Sequence, residues 1–224
     1  PPHAGHGARG WRRSWRLMNE RRARTASGEG EAAGVSNAAG SREERWRLFV
    51  GVPLPAELLP LVQRAQHGIG SVPGLRLTTA EQLHVTLAFI GEVGQDKVQA
   101  AARVVSQIPA HLGGVVPLGG YLALPSNSRA RVVALGLDDR TGLMARLYEA
   151  VMSGLEGEQV MRREKRPFRA HLTIARLRVS TRVQPKYECE PAAYAVSSVC
   201  LYRSELRRSG AVYTVVMRRA LSVD

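Results

Sequence analysis

Two short segments of the chain, 87 residues apart, repeat one alternation of polar and apolar side chains: Leu83–Phe89 (LHVTLAF) and Ala170–Arg176 (AHLTIAR). Such alternation is typical of β-strands, because successive side chains of a strand point to opposite faces of the sheet. Each His-x-Thr motif therefore places its His and Thr on one face and its apolar residues on the other. Strict alternation also predicts that Phe89 lies on the apolar face, and that Arg176 points away from His171 unless a bulge intervenes.

The remaining periodicities predict strands and helices without a regular βαβ alternation. Helical spacing of apolar residues occurs at 55–68 and 95–108, and again after Asp138 or Asp139, which would cap a helix that ends near Leu155. The last two predicted strands form a hairpin, and the full set lies at 47–52, 75–79, 84–90, 115–124, 131–137, 169–179, 193–202 and 212–218. This mixture favours an α+β fold with a mostly antiparallel sheet.

Residues 1–45 differ from the rest of the chain. They are rich in Gly, Ala, Arg, Ser and Glu and contain almost no branched apolar residues. This composition is typical of disordered segments, so we predict a disordered extension at 1–45 followed by a folded domain at 46–224. The extension lacks the apolar core of a secretory signal. Met18 is a candidate start, since the chain as given opens with Pro1.

Composition excludes several classes of protein. Among 224 residues, 44% are hydrophobic, which is too many for a disordered protein. No apolar run approaches the roughly 18 to 20 residues of a membrane-spanning helix. The two cysteines, Cys189 and Cys200, cannot build a disulfide scaffold or a four-cysteine zinc site. We therefore expect a cytoplasmic protein that does not enter a membrane.

The charge indicates an anionic partner. Lys and Arg number 32 against 19 Asp and Glu, and only three of the basic residues are lysines. Residues 47–224 alone carry 23 basic and 14 acidic side chains, so the excess belongs to the folded part as well as to the extension. Because the arginine guanidinium suits phosphate, nucleic acid is the first candidate partner.

The paired motifs suit metal-free phosphoester chemistry. Histidine titrates near neutral pH, so two of them can act together as acid and base. Threonine hydroxyls can donate hydrogen bonds to phosphate oxygens. No Asp or Cys flanks either His at metal-ligand spacing, and neither a Gly-x-Ser-x-Gly elbow nor a Walker loop occurs. A lone His would be interpreted as structural, but two matched motifs predict an active site formed by His84, Thr86, His171 and Thr173.

These motifs resemble those of the 2H phosphoesterase superfamily. The chain is most similar to its RNA 2′,3′-cyclic phosphodiesterase family, historically called 2′-5′ RNA ligases. The similarity runs from about Arg47 to Leu221 and includes RLFV at 47–50, IGEV at 90–93, RPFR at 166–169 and LYRSEL at 201–206. One departure is Ala170, where the family usually has Pro. We expect this change to loosen the entry to the strand slightly and to leave the chemistry intact.

The resemblance implies a bilobal fold in which two pseudo-symmetric lobes, each of antiparallel strands with helices on the outer face, flank a central cleft. It implies that residues 46–224 are a catalytic domain that opens a terminal RNA 2′,3′-cyclic phosphate to a 2′-phosphomonoester. By the family pattern, His84 would be the proton donor and His171 the proton acceptor. Thr86 and Thr173 would hold the phosphoryl oxygens.

Other substrate contacts are predicted from residue type alone. Arg129 and Arg131 follow a loop and could reach a phosphate or a base of the substrate. Phe168 could stack on an unpaired base, as aromatic side chains do in RNA recognition. Cys200 is expected in the core, while Tyr202 and Arg203 are expected to serve the final hairpin.

Two alternatives remain open at this point. The same fold could join 2′,5′ RNA ends, which is the reverse reaction and needs the ends at high local concentration. The cleft could also bind RNA or a nucleotide without turnover, although a binding module would be free to lose one His or Thr and this chain has lost none. We expect no cofactor, no metal, a monomer, and RNA with cyclic-phosphate ends or small cyclic nucleotides as partners.

Overall fold

The computed structural model describes residues 44–164, 166–184, 189–208 and 210–223, which lie within one compact unit. The extension predicted at 1–45 lies outside this description, apart from Glu44 and Arg45. The helices of the described residues are α1 (Leu59–Gly68), α2 (Gln95–Gln107) and α3 (Leu143–Gly157). The strands are β1 (Trp46–Pro53), β2 (Leu75–Leu77), β3 (His84–Val93), β4 (Gly114–Leu124), β5 (Ala130–Leu137), β6 (His171–Thr181), β7 (Ala192–Val196), β8 (Ser198–Arg207) and β9 (Gly210–Ala220).

All these strands belong to one antiparallel sheet in the order β7-β4-β5-β6-β3-β1-β8-β9, with β2 paired to β6. The α+β class and the mostly antiparallel sheet are therefore confirmed. The two halves of the sheet meet between β3 and β6, where Val85 opposite Leu172 is the one residue pair within the described strands. On either side of this pair the two strands diverge, and space opens next to each His-x-Thr motif.

The prediction of one continuous strand at 193–202 is wrong. β7 ends at Val196 and pairs with β4, whereas β8 begins at Ser198 and pairs with β1 and β9. Only Ser197 separates the two strands, and its carbonyl accepts a hydrogen bond from the Leu221 N–H at 2.8 Å. Because β7 and β8 lie towards opposite ends of the strand order, the sheet has to curl until those ends approach each other.

The helices cover the apolar side of this curled sheet. α1 contacts β6, while α2 contacts β1, β8, β9 and α3. α3 begins at Leu143, a few residues later than the sequence predicts, because a turn over Asp139–Gly142 precedes it, in which the Gly142 N–H donates to the Asp139 carbonyl at 2.9 Å. Asp139 still caps this helix, since its carboxylate accepts hydrogen bonds from the Met144 and Ala145 N–H groups, both at 2.9 Å.

Candidate active site

The two His-x-Thr motifs lie side by side on one face of the sheet. β3 and β6 run antiparallel through the Val85–Leu172 pair, so each His lies next to the other strand's Thr. Val85 and Leu172 are fully buried on the opposite face, while the His and Thr side chains remain partly exposed. The four residues predicted from the sequence, His84, Thr86, His171 and Thr173, are therefore brought together.

Both histidines are oriented by the same backbone contact. His84 Nδ1 lies 2.7 Å from the carbonyl oxygen of Gln82, and His171 Nδ1 lies 2.8 Å from that of Arg169. A carbonyl oxygen can only accept a hydrogen bond, so Nδ1 is the protonated nitrogen in each ring. Nε2 of each ring is thereby directed away from its own backbone and carries no proton in the neutral ring.

The His84 ring is surrounded by aromatic side chains. Its ring stacks on Phe49 with the centroids 4.6 Å apart, and Tyr213 contacts it edge-on at 5.4 Å. Burial is the main cause that lowers the pKa of His84 to about 4, and electrostatic interaction with the Arg176 guanidinium lowers it further. In the free protein His84 is therefore neutral at pH 7, and Nε2 lies 3.1 Å from Thr86 Oγ1, whose hydroxyl can donate to it.

A β-bulge follows each motif and reverses the alternation of faces. On β3, Val50 and Gly51 of β1 pair with Ala88 and Thr86, so Leu87 is the extra residue. On β6, Val133 and Ala134 of β5 pair with Ala175 and Thr173, so Ile174 is the extra residue. After an extra residue, the next side chains change faces. The prediction that Phe89 faces the core is therefore wrong. The bulge that would turn Arg176 towards the face of His171 is present.

Arg176 reaches the cleft because of the second bulge. It lines a pocket of about 190 Å³ together with His84, Thr86, Thr173 and Tyr213. The bulge carbonyl of Ile174 accepts hydrogen bonds from the Thr78 N–H at 2.9 Å and from Gln66 Nε2, also at 2.9 Å. The buried Gln66 of α1 thus stabilises the bulge. In the sequence, the bulge is indicated only by the two consecutive apolar residues Ile174 and Ala175, which break the strict alternation.

A larger cavity of about 650 Å³ opens on the His171 side of the cleft. Phe168 and Phe89 both line it, and Phe168 stacks on Tyr148 with the ring centroids 4.3 Å apart. Phe89 is 43% exposed, and the Arg47 guanidinium lies 4.9 Å from its ring centroid. Three aromatic rings, those of Phe89, Tyr148 and Phe168, therefore line this cavity with His171, and only Phe168 was predicted from the sequence.

The two arginines predicted as substrate contacts have different positions. Arg131 lines the larger cavity together with His171 and Phe168. Arg129 ends the short 3₁₀ turn Asn127–Arg129 and is not among the residues that line either cleft pocket in the described part of the chain. Only Arg131 is therefore positioned beside the paired motifs.

Ala170, the departure from the family pattern, is buried immediately before β6. Its carbonyl accepts a hydrogen bond from the Leu137 N–H at 3.1 Å, which ties the entry of β6 to the end of β5. The backbone immediately before His171 is therefore held by a hydrogen bond between strands, and a looser strand entry at Ala170 stays a prediction.

Several other observations bear on the kind of site. Across the described residues, no three His, Cys, Asp or Glu side chains converge in a way that could hold a metal ion. Within those same residues, no helix is long and apolar enough to cross a membrane. Cys189 and Cys200 are both free thiols, and Cys200 is buried in the core as predicted.

Comparisons with known proteins agree with this geometry. The sequence profile of the 2′-5′ RNA ligase superfamily matches residues 54–208. The RNA 2′,3′-cyclic phosphodiesterase of Thermus thermophilus is 30% identical over 78% of this chain and 90% of its own length. That of Escherichia coli is 30% identical over 80% and 98%. The crystal structure of E. coli LigT complexed with 3′-AMP has a TM-score of 0.68 and 27% identity, covering 80% of this chain and 99% of LigT.

The curled antiparallel sheet and the matching profile define the class of the protein as the 2′-5′ RNA ligase superfamily. Within that superfamily, the chain belongs to the RNA 2′,3′-cyclic phosphodiesterase family. The family predicted from the two His-x-Thr motifs, and the prediction that the chain is one of its enzymes, are confirmed.

Proposed function

We propose that the protein hydrolyses the terminal 2′,3′-cyclic phosphate of RNA and leaves a 2′-phosphomonoester. The observation that carries the proposal is the pair of His-x-Thr motifs on adjacent strands, each with Nδ1 held by a backbone carbonyl and Nε2 available. A cyclic phosphate held between the motifs would meet two imidazoles and two hydroxyl donors. Cleavage of a phosphodiester needs one base and one acid, which two imidazoles provide.

The chemical step uses each nitrogen once. His171 Nε2 removes a proton from water as the water oxygen bonds to phosphorus. The bond from phosphorus to the 3′ oxygen then breaks, and His84 Nε2 gives its proton to that oxygen. Thr86 and Thr173 donate hydrogen bonds to the non-bridging oxygens, and the Arg176 guanidinium stabilises their negative charge.

His84 has to gain a proton before it can act as the acid. In the free protein its pKa is lowered to about 4 by burial against aromatic rings and by nearby positive charge. A phosphate anion between the motifs favours the imidazolium form and so raises this pKa. We therefore propose that substrate binding causes protonation of His84, so that His84 can act as an acid only when a phosphate is bound.

The larger cavity suits the base of the terminal nucleotide. Phe89 offers an exposed ring, and Phe168 is backed by Tyr148. Aromatic rings bind unpaired bases by stacking, with little dependence on base identity. Arg131, on the same cavity, can contact the ribose or the base.

The decisive experiment is incubation with an oligonucleotide ending in a 2′,3′-cyclic phosphate, in EDTA, followed by identification of the product isomer. We expect turnover to persist in EDTA and to give the 2′-phosphate, because the pocket around His84 is lined by hydroxyl, imidazole and guanidinium groups within the described residues. Activity restored only by a divalent metal would overturn metal independence. A 3′-phosphate product would overturn the assigned leaving group.

Histidine variants provide the matched comparison. His84→Asn and His171→Asn should each lower kcat by about 10²–10⁴-fold, the usual contribution of a general acid or base. His111→Asn is the control, since His111 is exposed in a 3₁₀ turn away from both cleft pockets. Binding without turnover by the unaltered protein would instead support an RNA-binding module. Formation of a 2′,5′ linkage when a 5′-hydroxyl RNA is added would support ligation.

A further inference from the structure

A row of arginines leads away from the small pocket. Arg76 of β2 pairs directly with Arg176 of β6, and both line the pocket that contains His84. Two residues further along β6 lies Arg178, which is exposed. Its N–H donates to the carbonyl of Gly74 at 3.1 Å, so the β2–β6 register continues to this point.

All three guanidiniums project from the same face of the sheet. Residues two apart on a strand share a face, which relates Arg178 to Arg176 and Gly74 to Arg76. A Cβ on Gly74 would lie 3.5 Å from Arg178 Cβ, as expected for residues opposite each other on one face. The arginine row thus continues the His-x-Thr face beyond the pocket, with roughly 6.6 Å between Arg176 and Arg178 along the strand.

The row is a concentration of like charge. β2 and β6 contribute arginines and no acidic residue to this face. An extended polyanion along the face would make charge-assisted hydrogen bonds with several guanidiniums.

We propose that the arginine row, Arg76, Arg176 and Arg178, binds the phosphate backbone of the RNA strand upstream of the terminal nucleotide. The inference rests on the proposed function, because it takes the scissile phosphate to lie at the paired motifs. Arg176 then contacts the scissile phosphate, and Arg178 contacts the next phosphate upstream, which a nucleoside 2′,3′-cyclic phosphate lacks. Substrate length is therefore sensed by Arg178 and not by the catalytic residues.

The test compares two substrates with the same 3′-terminal nucleotide, a nucleoside 2′,3′-cyclic phosphate and an octanucleotide ending in a 2′,3′-cyclic phosphate. kcat/KM is measured against salt for the unaltered protein, for Arg178→Gln and Arg178→Lys, and for Arg103→Gln. Arg103 is a matched control, because it is an exposed arginine on α2 that pairs with Glu158 at 2.8 Å. Arg178 lines neither cleft pocket, so turnover of the nucleoside cyclic phosphate should be equal in all four proteins.

With the octanucleotide, Arg178→Gln should lower kcat/KM severalfold and reduce the salt slope by about 0.7, the value for one phosphate contact on single-stranded nucleic acid. Arg178→Lys should recover most of the slope. Equal behaviour of Arg178→Gln and Arg103→Gln on the octanucleotide would overturn the proposal.

A binding measurement separates this inference from the proposed function. Fluorescence anisotropy with an octanucleotide ending in a 2′-phosphate needs no turnover and should show the same loss in Arg178→Gln. If the unaltered protein hydrolyses neither substrate but Arg178→Gln still weakens octanucleotide binding, the proposed reaction is contradicted while RNA binding by the arginine row is supported. If the nucleoside cyclic phosphate is hydrolysed but Arg178→Gln changes neither octanucleotide readout, the proposed role of the arginine row is contradicted while the proposed reaction is supported.

Discussion

Val85 and Leu172 form the residue pair that joins the two halves of the sheet. Both side chains are fully buried, and each stands immediately after a histidine in the sequence. Because neighbouring residues of a strand face opposite sides, burying this pair forces His84 and His171 onto the other face together. The core contact and the site therefore depend on the same register.

Replacing Arg176 by Gln should raise the pKa of His84. Removing a nearby positive charge makes the imidazolium form less unfavourable, while the burial that is the main cause of the lowered pKa remains. The expected pKa therefore moves above about 4 but stays below the ordinary value of 6.5. An NMR titration of the histidine ring nitrogens measures it, with Arg176→Lys as the charge-preserving control. An unchanged pKa in Arg176→Gln would show that Arg176 does not face His84.

The stability of the protein should depend on the protonation of His84 in mildly acidic solution. Its pKa is about 4 in the folded state against 6.5 for an ordinary histidine, so the unfolded chain binds more protons between these values. The contribution to the free energy of unfolding is therefore fully present above pH 6.5 and is lost as the pH falls to 4. The total is about 3 kcal/mol.

Urea unfolding at several pH values measures this dependence. The difference in free energy of unfolding between the unaltered protein and His84→Gln should change with pH between 6.5 and 4, because Gln does not titrate. His111→Gln, which removes an exposed histidine, controls for the loss of a His in general. Parallel curves for the unaltered protein and His84→Gln would contradict a lowered pKa in the folded state.

Gly51→Ala should disturb His84 through direct contact. A Cβ at Gly51 would lie 2.9 Å from the Val85 carbonyl oxygen and 3.1 Å from His84 Cδ2, which is too close without a shift. We expect a loss of about 1–3 kcal/mol in stability from overpacking and a lower kcat from the displaced ring. Gly120→Ala is the control, since a Cβ there would meet no heavy atom within 4 Å. Full activity and stability in Gly51→Ala would show that the strand has room to move.

Removing the N-terminal extension should be harmless only up to a defined residue. Arg45 Nη2 donates to the Glu92 carbonyl at 2.8 Å, and Gln95 Nε2 donates to the Glu44 carbonyl at 3.3 Å. A chain that begins at residue 43 keeps these contacts, and we expect it to retain both its Tm and its turnover of a dinucleotide substrate.

A chain that begins at Trp46 loses both hydrogen bonds and the 3.6 Å ion pair between Glu44 and Arg203. A loss of about 1 kcal/mol lowers the Tm of a domain of this size by about 2–4 °C, which differential scanning calorimetry resolves. A large drop in Tm and turnover already in the chain that begins at residue 43 would contradict the prediction that residues 1–45 are a separate extension.

Local alternation was enough to predict the two strands and the four residues His84, Thr86, His171 and Thr173. Burial of one face of a strand imposes a period of two, so the sequence shows which side chains share a face over a few residues. The family resemblance depended on the same motifs. The helices at 59–68 and 95–107 were likewise predictable, because their apolar faces repeat with the helical period.

Only the tertiary structure decided which way the side chains point beyond each motif. The extra residues Leu87 and Ile174 reverse the alternation, so Phe89 and Arg176 face the cleft, and the second bulge depends on a hydrogen bond from Gln66, 108 residues away. The division of the predicted strand 193–202 at Ser197 likewise depends on tertiary structure, because β7 pairs with β4 whereas β8 pairs with β1 and β9.

The difference between the two histidines also arises from tertiary contacts. Their sequence motifs and backbone hydrogen bonds match, but only His84 is packed against Phe49 and Tyr213, which come from β1 and β9. A sequence motif specifies which groups can carry a proton. The dielectric and the charges around each group, which set its pKa, come from residues that are distant in the chain and that folding alone brings into contact.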